Sequence, residues 1–198
     1  MLPSESKANF DHFLLQRNTL FARGLVLSVA GVALTTLSVL VPDVRMMYES
    51  SSWLPIVALV ILGTGILACL DALLWRHSKE FYTHLQIGVL DAVFGLIILT
   101  ELNKPADKII LLVSAYLLIK GIFRILAAYS VHFSHFNVAT FGGFVSVVMG
   151  MVLWQEWLGQ SMWFICFCLS IDIMTRGWAL TWFGIWLKTQ YKLRNQNS

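Results

Sequence analysis

The stretch that decides the fold is residues 85–129, LQIGVLDAVFGLIILTELNKPADKIILLVSAYLLIKGIFRILAAY. It predicts two apolar α-helices joined by a short polar turn at residues 103–107. The first helix carries Asp91, and the second carries Lys120 and Arg124. Charged side chains are costly inside apolar helices unless they are paired. These three residues therefore predict an ion cluster within a helical hairpin.

The composition of the whole chain extends this interpretation beyond the hairpin. The 198 residues are 58% hydrophobic and 13% charged, and the mean hydropathy is +0.72. Because charged residues make up about a quarter of a typical soluble domain, this composition favours lipid as the solvent. A membrane-spanning helix needs roughly 20 mostly apolar residues. Six segments meet or approach that length: 24–41, 53–75, 81–100, 109–129, 138–154 and 162–187.

The predicted fold is all-α, a polytopic membrane protein whose six transmembrane helices form three repeated helical hairpins. One membrane domain, residues 24–187, contains hairpins at 24–75, 81–129 and 138–187. Residues 1–23 are predicted to be a cytoplasmic lead-in, either an interfacial helix or a flexible tail, and residues 188–198 a cytoplasmic tail. The lipid bilayer is the expected partner.

The spacing of the glycines predicts the repeat. In each hairpin the first helix has two glycines seven residues apart, and the second helix has a polar residue followed by glycine at positions 64–65, 120–121 and 176–177, which are 56 residues apart. Glycines on one helix face allow close approach of backbones, so we interpret them as packing residues. Such faces could also support a homo-oligomer. The nine predicted packing glycines are Gly24, Gly31, Gly65, Gly88, Gly95, Gly121, Gly143, Gly150 and Gly177.

The distribution of basic residues predicts the orientation in the membrane. Six spans place both termini on one side, and that side receives eight of the fourteen Lys and Arg residues, against three on the other side. The positive-inside rule therefore predicts cytoplasmic termini. The eight are Lys7, Arg17, Arg23, Arg76, Lys79, Lys188, Lys192 and Arg194, and the three are Arg45, Lys104 and Lys108.

The charged residues within the spans form the candidate intramembrane charge network. If the middle hairpin is folded about its turn, Lys120 lies about 3 Å in depth from Asp91, and we predict dry packing between the two. Asp172 and Arg176 are four residues apart with the acid first, an order that favours an ion pair on one helix. The network has two interpretations: structural pairs that fix helix register, or a polar pathway or anion site. Its members are Asp91, Lys120, Arg124, Asp172 and Arg176.

Residue patterns that would indicate enzymatic chemistry do not occur in the sequence. It contains no Gly-x-Ser-x-Gly or His-Glu-x-x-His motif, so no catalytic residue is predicted. The three cysteines, Cys69, Cys166 and Cys168, lie in apolar segments and are expected to be buried thiols. We expect no metal, no cofactor and no nucleic-acid partner.

Four segments carry a resemblance to a known family: residues 87–95, 118–124, 141–151 and 175–178. With their Gly-x6-Gly and polar–Gly spacing, residues 20–187 resemble the HdeD-like acid-resistance membrane proteins. The resemblance implies a six-helix protein of the bacterial inner membrane, associated with survival in acid. The first hairpin departs from the pattern, because Thr64 stands at the basic position and the outer loop is long. We therefore expect a non-enzymatic protein of acid or envelope stress resistance, and the alternative is a small transporter or channel that uses the intramembrane Asp, Lys and Arg residues.

Overall fold

The computed structural model describes residues 4–41, 53–74, 81–102, 105–130, 136–155 and 162–196. The outer loop predicted at 42–52 and the cytoplasmic turn predicted at 76–80 lie outside the described residues, as do residues 131–135 between the second and third predicted hairpins. Within the described ranges the chain forms six α-helices: α1 (Ser4–Leu40), α2 (Leu54–Leu74), α3 (Phe81–Thr100), α4 (Ala106–Ser130), α5 (Phe136–Trp154) and α6 (Met162–Gln196).

Local sequence explains where two of these helices begin. Pro55 is the second residue of α2, and Pro105 immediately precedes α4. Proline is tolerated at these positions because the first N–H groups of a helix have no partner within the helix. Asp107 lies in the first turn of α4, where a negative charge interacts favourably with the helix dipole.

Residues 4–20 belong to the same continuous helix as the first apolar segment. The helix α1 begins at Ser4, and the predicted cytoplasmic lead-in at residues 1–23 stays a prediction. The C-terminal residues 188–196 likewise continue α6. Both helices are therefore longer than their apolar parts.

Four helices are long and apolar enough to cross a membrane. These candidate spans are Phe21–Leu40, Leu54–Leu73, Asp107–Tyr129 and Met162–Trp182. The described parts of α3 and α5 add two shorter apolar segments, Leu85–Thr100 and Thr140–Trp154. The prediction of an all-α protein of membrane type is confirmed, and within the described residues four of the six predicted spans combine the length and the hydropathy expected of a span.

Many large apolar side chains of the described helices face outward, while the interior contains apolar residues together with several polar ones. Large apolar residues such as Leu40 and Val26 are 78% and 64% exposed. The buried polar residues are Ser38, Asp91, Ser114, Lys120, Ser146, Ser170, Asp172 and Thr175. Soluble monomers rarely expose large contiguous apolar patches, whereas lipid is a suitable solvent for such an exterior.

The chain divides into two compact units, which we describe separately. The first comprises residues 1–32 and 173–198, and the second comprises residues 33–172. The second unit therefore contains α2 to α5 together with the C-terminal end of α1 and the first part of α6.

In the second unit, α3 packs closely against α2, and α5 packs closely against α4, whereas α3 and α4 are in sparser contact. Glycines lie at both close seams. A Cβ placed on Gly95 would lie 2.7 Å from the backbone nitrogen of Leu62 on α2. A Cβ on Gly150 would lie 2.9 Å from Cγ of Leu118 on α4. The closest packing therefore joins helices from successive predicted hairpins rather than the two helices of the middle hairpin.

In the first unit, α1 and the C-terminal part of α6 pack antiparallel, again through glycine. A Cβ placed on Gly31 would lie 2.6 Å from Cα of Met174, and one on Gly24 would lie 2.6 Å from the backbone nitrogen of Thr181. From Gly24 to Gly31 the α1 sequence advances by seven residues, while the contacted residue on α6 moves back by seven, from Thr181 to Met174. This is expected for antiparallel helices. All nine glycines interpreted as packing residues lie against another helix.

Candidate functional site

A cluster of buried charged side chains lies within the second unit. Asp91 comes from α3, Lys120 and Arg124 from α4, and Asp172 from α6. Their exposed fractions are 0% for Asp91, 4% for Lys120, 2% for Asp172 and 13% for Arg124. Four of the five residues in the predicted charge network thus meet at one place.

The Lys120 ammonium is the centre of the cluster. Its Nζ lies 3.0 Å from Asp91 Oδ1 and 2.5 Å from Asp172 Oδ2. It also donates to the Tyr116 hydroxyl at 2.7 Å. An ammonium group has three hydrogens and no acceptor. These three oxygens therefore match the full donor capacity of Lys120.

Two hydroxyl groups also contact the carboxylates. Tyr116 donates to Asp91 Oδ1 at 2.8 Å, and its ring packs 5.0 Å from the ring of Phe94. Ser146 Oγ on α5 lies 2.6 Å from Asp172 Oδ1 and 3.0 Å from the Gly142 carbonyl oxygen, so its single proton has two acceptors. Hydrogen bonds to ionised groups are stronger than those between neutral groups, and these two stabilise the charged carboxylates.

Arg124 lies beside the Asp172 carboxylate at the edge of the cluster. Its Nη1 is 3.6 Å from Asp172 Oδ1, an ion-pair distance longer than a hydrogen bond. The guanidinium packs over α5 at Gly142, where a Cβ would lie 3.1 Å from Nη2. The absence of a side chain at position 142 therefore leaves room for the arginine head group.

The charges of the cluster balance. Asp91 and Asp172 contribute two negative charges, and Lys120 and Arg124 contribute two positive charges. Removing one partner from a buried ion pair leaves an uncompensated charge, which costs about 3–5 kcal/mol. The cluster consequently ties α3, α4 and α6 together, and Ser146 adds α5. Its geometry is suited to fixing helix positions, because Lys120 Nζ lies within 3.0 Å of three oxygens that belong to the cluster.

The prediction from sequence captured one of these contacts and missed others. Asp91 and Lys120 do make direct, buried contact. Asp172 was expected to pair with Arg176 on its own helix, but in the structure it contacts Lys120 and Arg124 of α4. Arg176 belongs to the first unit, and its pairing with Asp172 stays a prediction. Tyr116 was not among the predicted residues, although its position one turn before Lys120 was a usable signal.

A small cleft lies beside Lys120 at the sparse seam between α3 and α4. It is lined by Gln86, Ile87, Leu90, Lys120 and Phe123. The space accommodates about one water molecule. The described residues also contain no group of His, Cys, Asp or Glu arranged to hold a metal ion.

Comparison of the chain with known protein families, with curated proteins and with solved structures found no match.

Proposed function

We propose that this chain is a non-enzymatic integral membrane protein of the HdeD-like type that contributes to acid or envelope stress resistance. It is placed in the inner membrane of a bacterium with both termini cytoplasmic, and it spans the bilayer six times as three repeated hairpins. The observation that carries the proposal is the charge-balanced cluster around Lys120, which joins four apolar helices through buried contacts. Such a cluster holds a membrane bundle together without requiring a substrate.

Recurring helix contacts support the threefold repeat. Gly31, Gly95 and Gly150 are corresponding glycines of α1, α3 and α5, and they lie against Met174, Leu62 and Leu118 respectively. The three contacted residues are 56 residues apart in sequence. Gly24, Gly88 and Gly143 lie against Thr181, Cys69 and Ile125, which have the same separation. Equal spacing in two independent sets of contacts is typical of an internal repeat.

Helix lengths support six spans. The helices α3 and α5 contain 20 and 19 residues, which rise about 30 Å at 1.5 Å per residue. The hydrocarbon core of a bilayer is about 30 Å thick. Each of these helices also packs closely against a helix that is a candidate span by itself.

Survival in acid tests the proposed role. A strain lacking this chain should lose viability after acid shock and regain it when the wild-type chain is supplied. The Lys120→Met variant should restore survival poorly, whereas Lys108→Met, which changes an exposed lysine at the start of α4, should restore it fully. Equal survival of the deletion strain and the parent would overturn the proposal.

A small transporter or channel is the second candidate, and the cleft that reaches Lys120 favours it. Intramembrane ionisable residues often mark ion pathways. Purified protein in liposomes should then carry protons or small anions, and Lys120→Met should abolish the flux. Flux equal to that of empty vesicles would exclude this candidate and leave the structural role.

A further inference from the structure

The antiparallel register of α1 and α6 in the first unit is regular over four contacts. A step of three or four residues along α1 is matched by an equal step back along α6. The contacting pairs are Gly31 with Met174, Ser28 with Gly177, Gly24 with Thr181, and Phe21 with Gly184. The two helices are therefore still in contact where their apolar segments end, near Phe21 and Trp182.

Both helices continue past this point, to Ser4 and Gln196. The positions in contact on α1 alternate in steps of three and four, so the next position is residue 17. The equal step along α6 leads from residue 184 to residue 188. Continuation of the register by this one step would bring residues 17 and 188, an arginine and a lysine, to facing backbone positions.

Two cations at facing positions repel each other unless an anion lies between them. The nearest acidic residue on either helix is Asp11, about 9 Å along α1 from Arg17, because the sequence has no acidic residue from position 12 to the end of α1 and none after Asp172. Arg23 and Lys192 add two further positive charges within about 9 Å along the helix axes. This end of the helix pair is thus strongly basic.

The positions of Arg17 and Lys188 relative to the membrane indicate which kind of molecule supplies the anion. Arg17 lies about 6 Å before the apolar segment of α1, and Lys188 lies about 9 Å beyond that of α6, at 1.5 Å per residue. Phospholipid headgroups extend about 5–8 Å beyond the hydrocarbon on each side, and a lysine stem is long enough to cover the remaining distance from position 188. Exposed aromatic side chains mark the same boundary, namely Phe21, Trp178 and Trp182.

We propose that Arg17 and Lys188 bind the phosphate group of an anionic phospholipid headgroup at this end of the α1–α6 pair. A guanidinium can bind phosphate oxygens through two parallel hydrogen bonds, and an ammonium adds a compact positive charge. The headgroup would relieve the repulsion between the two cations and would hold the helix pair at the bilayer surface.

Thermal unfolding of the full chain in neutral detergent tests the site. Added phosphatidylglycerol should raise the Tm by roughly 5–10 °C when the lipid is present at about 100 times its Kd. Phosphatidylcholine and inorganic phosphate should each give a much smaller shift. A full shift with inorganic phosphate alone would overturn the assignment to lipid.

Matched variants locate the site. The double variant Arg17→Gln/Lys188→Gln should lose the shift caused by phosphatidylglycerol. Arg45→Gln/Lys108→Gln, which removes one arginine and one lysine predicted to lie on the other side, should keep it. The exchange Arg17→Lys/Lys188→Arg should also keep the Tm shift caused by phosphatidylglycerol, because both positive charges remain. This control distinguishes loss of lipid binding from a failure to fold. Retention of the shift by the first double variant would overturn the proposal.

Cysteine cross-linking tests the extended register independently of lipid. Arg17→Cys/Lys188→Cys should form a disulfide in oxidised membranes, because facing positions of packed helices fall within the range that a disulfide can bridge. Phe21→Cys/Gly184→Cys is the positive control, since Phe21 Cβ lies 3.2 Å from a Cβ placed on Gly184. If Phe21→Cys/Gly184→Cys forms a disulfide but Arg17→Cys/Lys188→Cys does not, the helix contact ends at the membrane surface. That result would exclude the proposed site.

Discussion

At the scale of single residues, Lys120 bears most of the electrostatic organisation of the second unit. We expect Lys120→Met to lower the free energy of unfolding by about 3–5 kcal/mol, because two buried carboxylates lose their shared cation. Thermal unfolding in detergent would measure the effect. Adding Asp91→Asn and Asp172→Asn to the same variant should recover part of the loss, since the carboxylates are then neutral. A loss no larger than that of Lys108→Met would contradict the central role of Lys120.

Tyr116 provides a milder test of the same network. Its hydroxyl donates to Asp91 and accepts from Lys120. Tyr116→Phe keeps the ring beside Phe94 and should cost about 1–3 kcal/mol, as expected when buried polar groups lose a partner. Chemical denaturation in detergent would report the difference from the wild-type chain. Equal stability of Tyr116→Phe and the wild-type chain would show that the hydroxyl contributes nothing.

Residue chemistry explains which parts of the cluster could be predicted. Asp91 and Lys120 were predictable because charges in apolar helices need partners and their depths nearly coincide. The partner of Asp172 was harder to predict, since Lys120 is 52 residues upstream. Arg176, only four residues away, offered a local alternative. Tyr116 was missed because a tyrosine in an apolar helix fits ordinary packing equally well.

At the scale of helices, the sequence predicted which helix faces carry small residues. It did not predict which neighbouring helix packs against each of those faces. Gly88 and Gly95 were expected on the side turned toward neighbouring helices, and both lie against α2. The spacing of glycines gives the face of a helix and the rise along it, but the identity of the partner depends on tertiary packing. The starts of α2 and α4 were more predictable, because a proline lies at or just before each of them, whereas α1 and α6 extend beyond their apolar segments.

Two glycines of α2 offer a matched comparison of this packing. A Cβ on Gly65 would clash with the backbone of Ala92 on α3, whereas a Cβ on Gly63 would meet nothing within 4 Å. Gly65→Ala should therefore lower the Tm. Gly63→Ala should leave it unchanged or raise it slightly, because alanine favours a helix by about 1 kcal/mol over glycine. The test is the order of the two melting temperatures. If Gly65→Ala melted at a higher temperature than Gly63→Ala, the close packing of α2 against α3 at Gly65 would be contradicted.

At the scale of the whole molecule, separately expressed halves should assemble. A cut between residues 103 and 104 leaves α2 with α3 in one fragment and α4 with α5 in the other, so each fragment keeps one close seam. The α1–α6 contacts and the Asp91–Lys120 pair then join the fragments. We expect the two fragments to co-purify from membranes when they are expressed together.

A variant of the second fragment gives this experiment its control. Gly177→Val should reduce recovery of the partner fragment, because a side chain at position 177 would clash with the backbone of Ser28. Gly63→Val in the first fragment should leave recovery unchanged. Equal recovery of the partner fragment with the wild-type pair, with Gly177→Val and with Gly63→Val would show that the α1–α6 contact does not hold the two fragments together.

The pairing of α1 with α6 has a consequence for synthesis. The ribosome makes Gly24 and Gly31 first, and Gly177 follows about 150 residues later. At roughly 5–20 residues per second, the first helix waits about 8–30 s in the bilayer before its partner emerges. During that interval its glycine face is open to lipid, to the insertion machinery or to another nascent chain, so the earliest helix is the last to reach its native contacts.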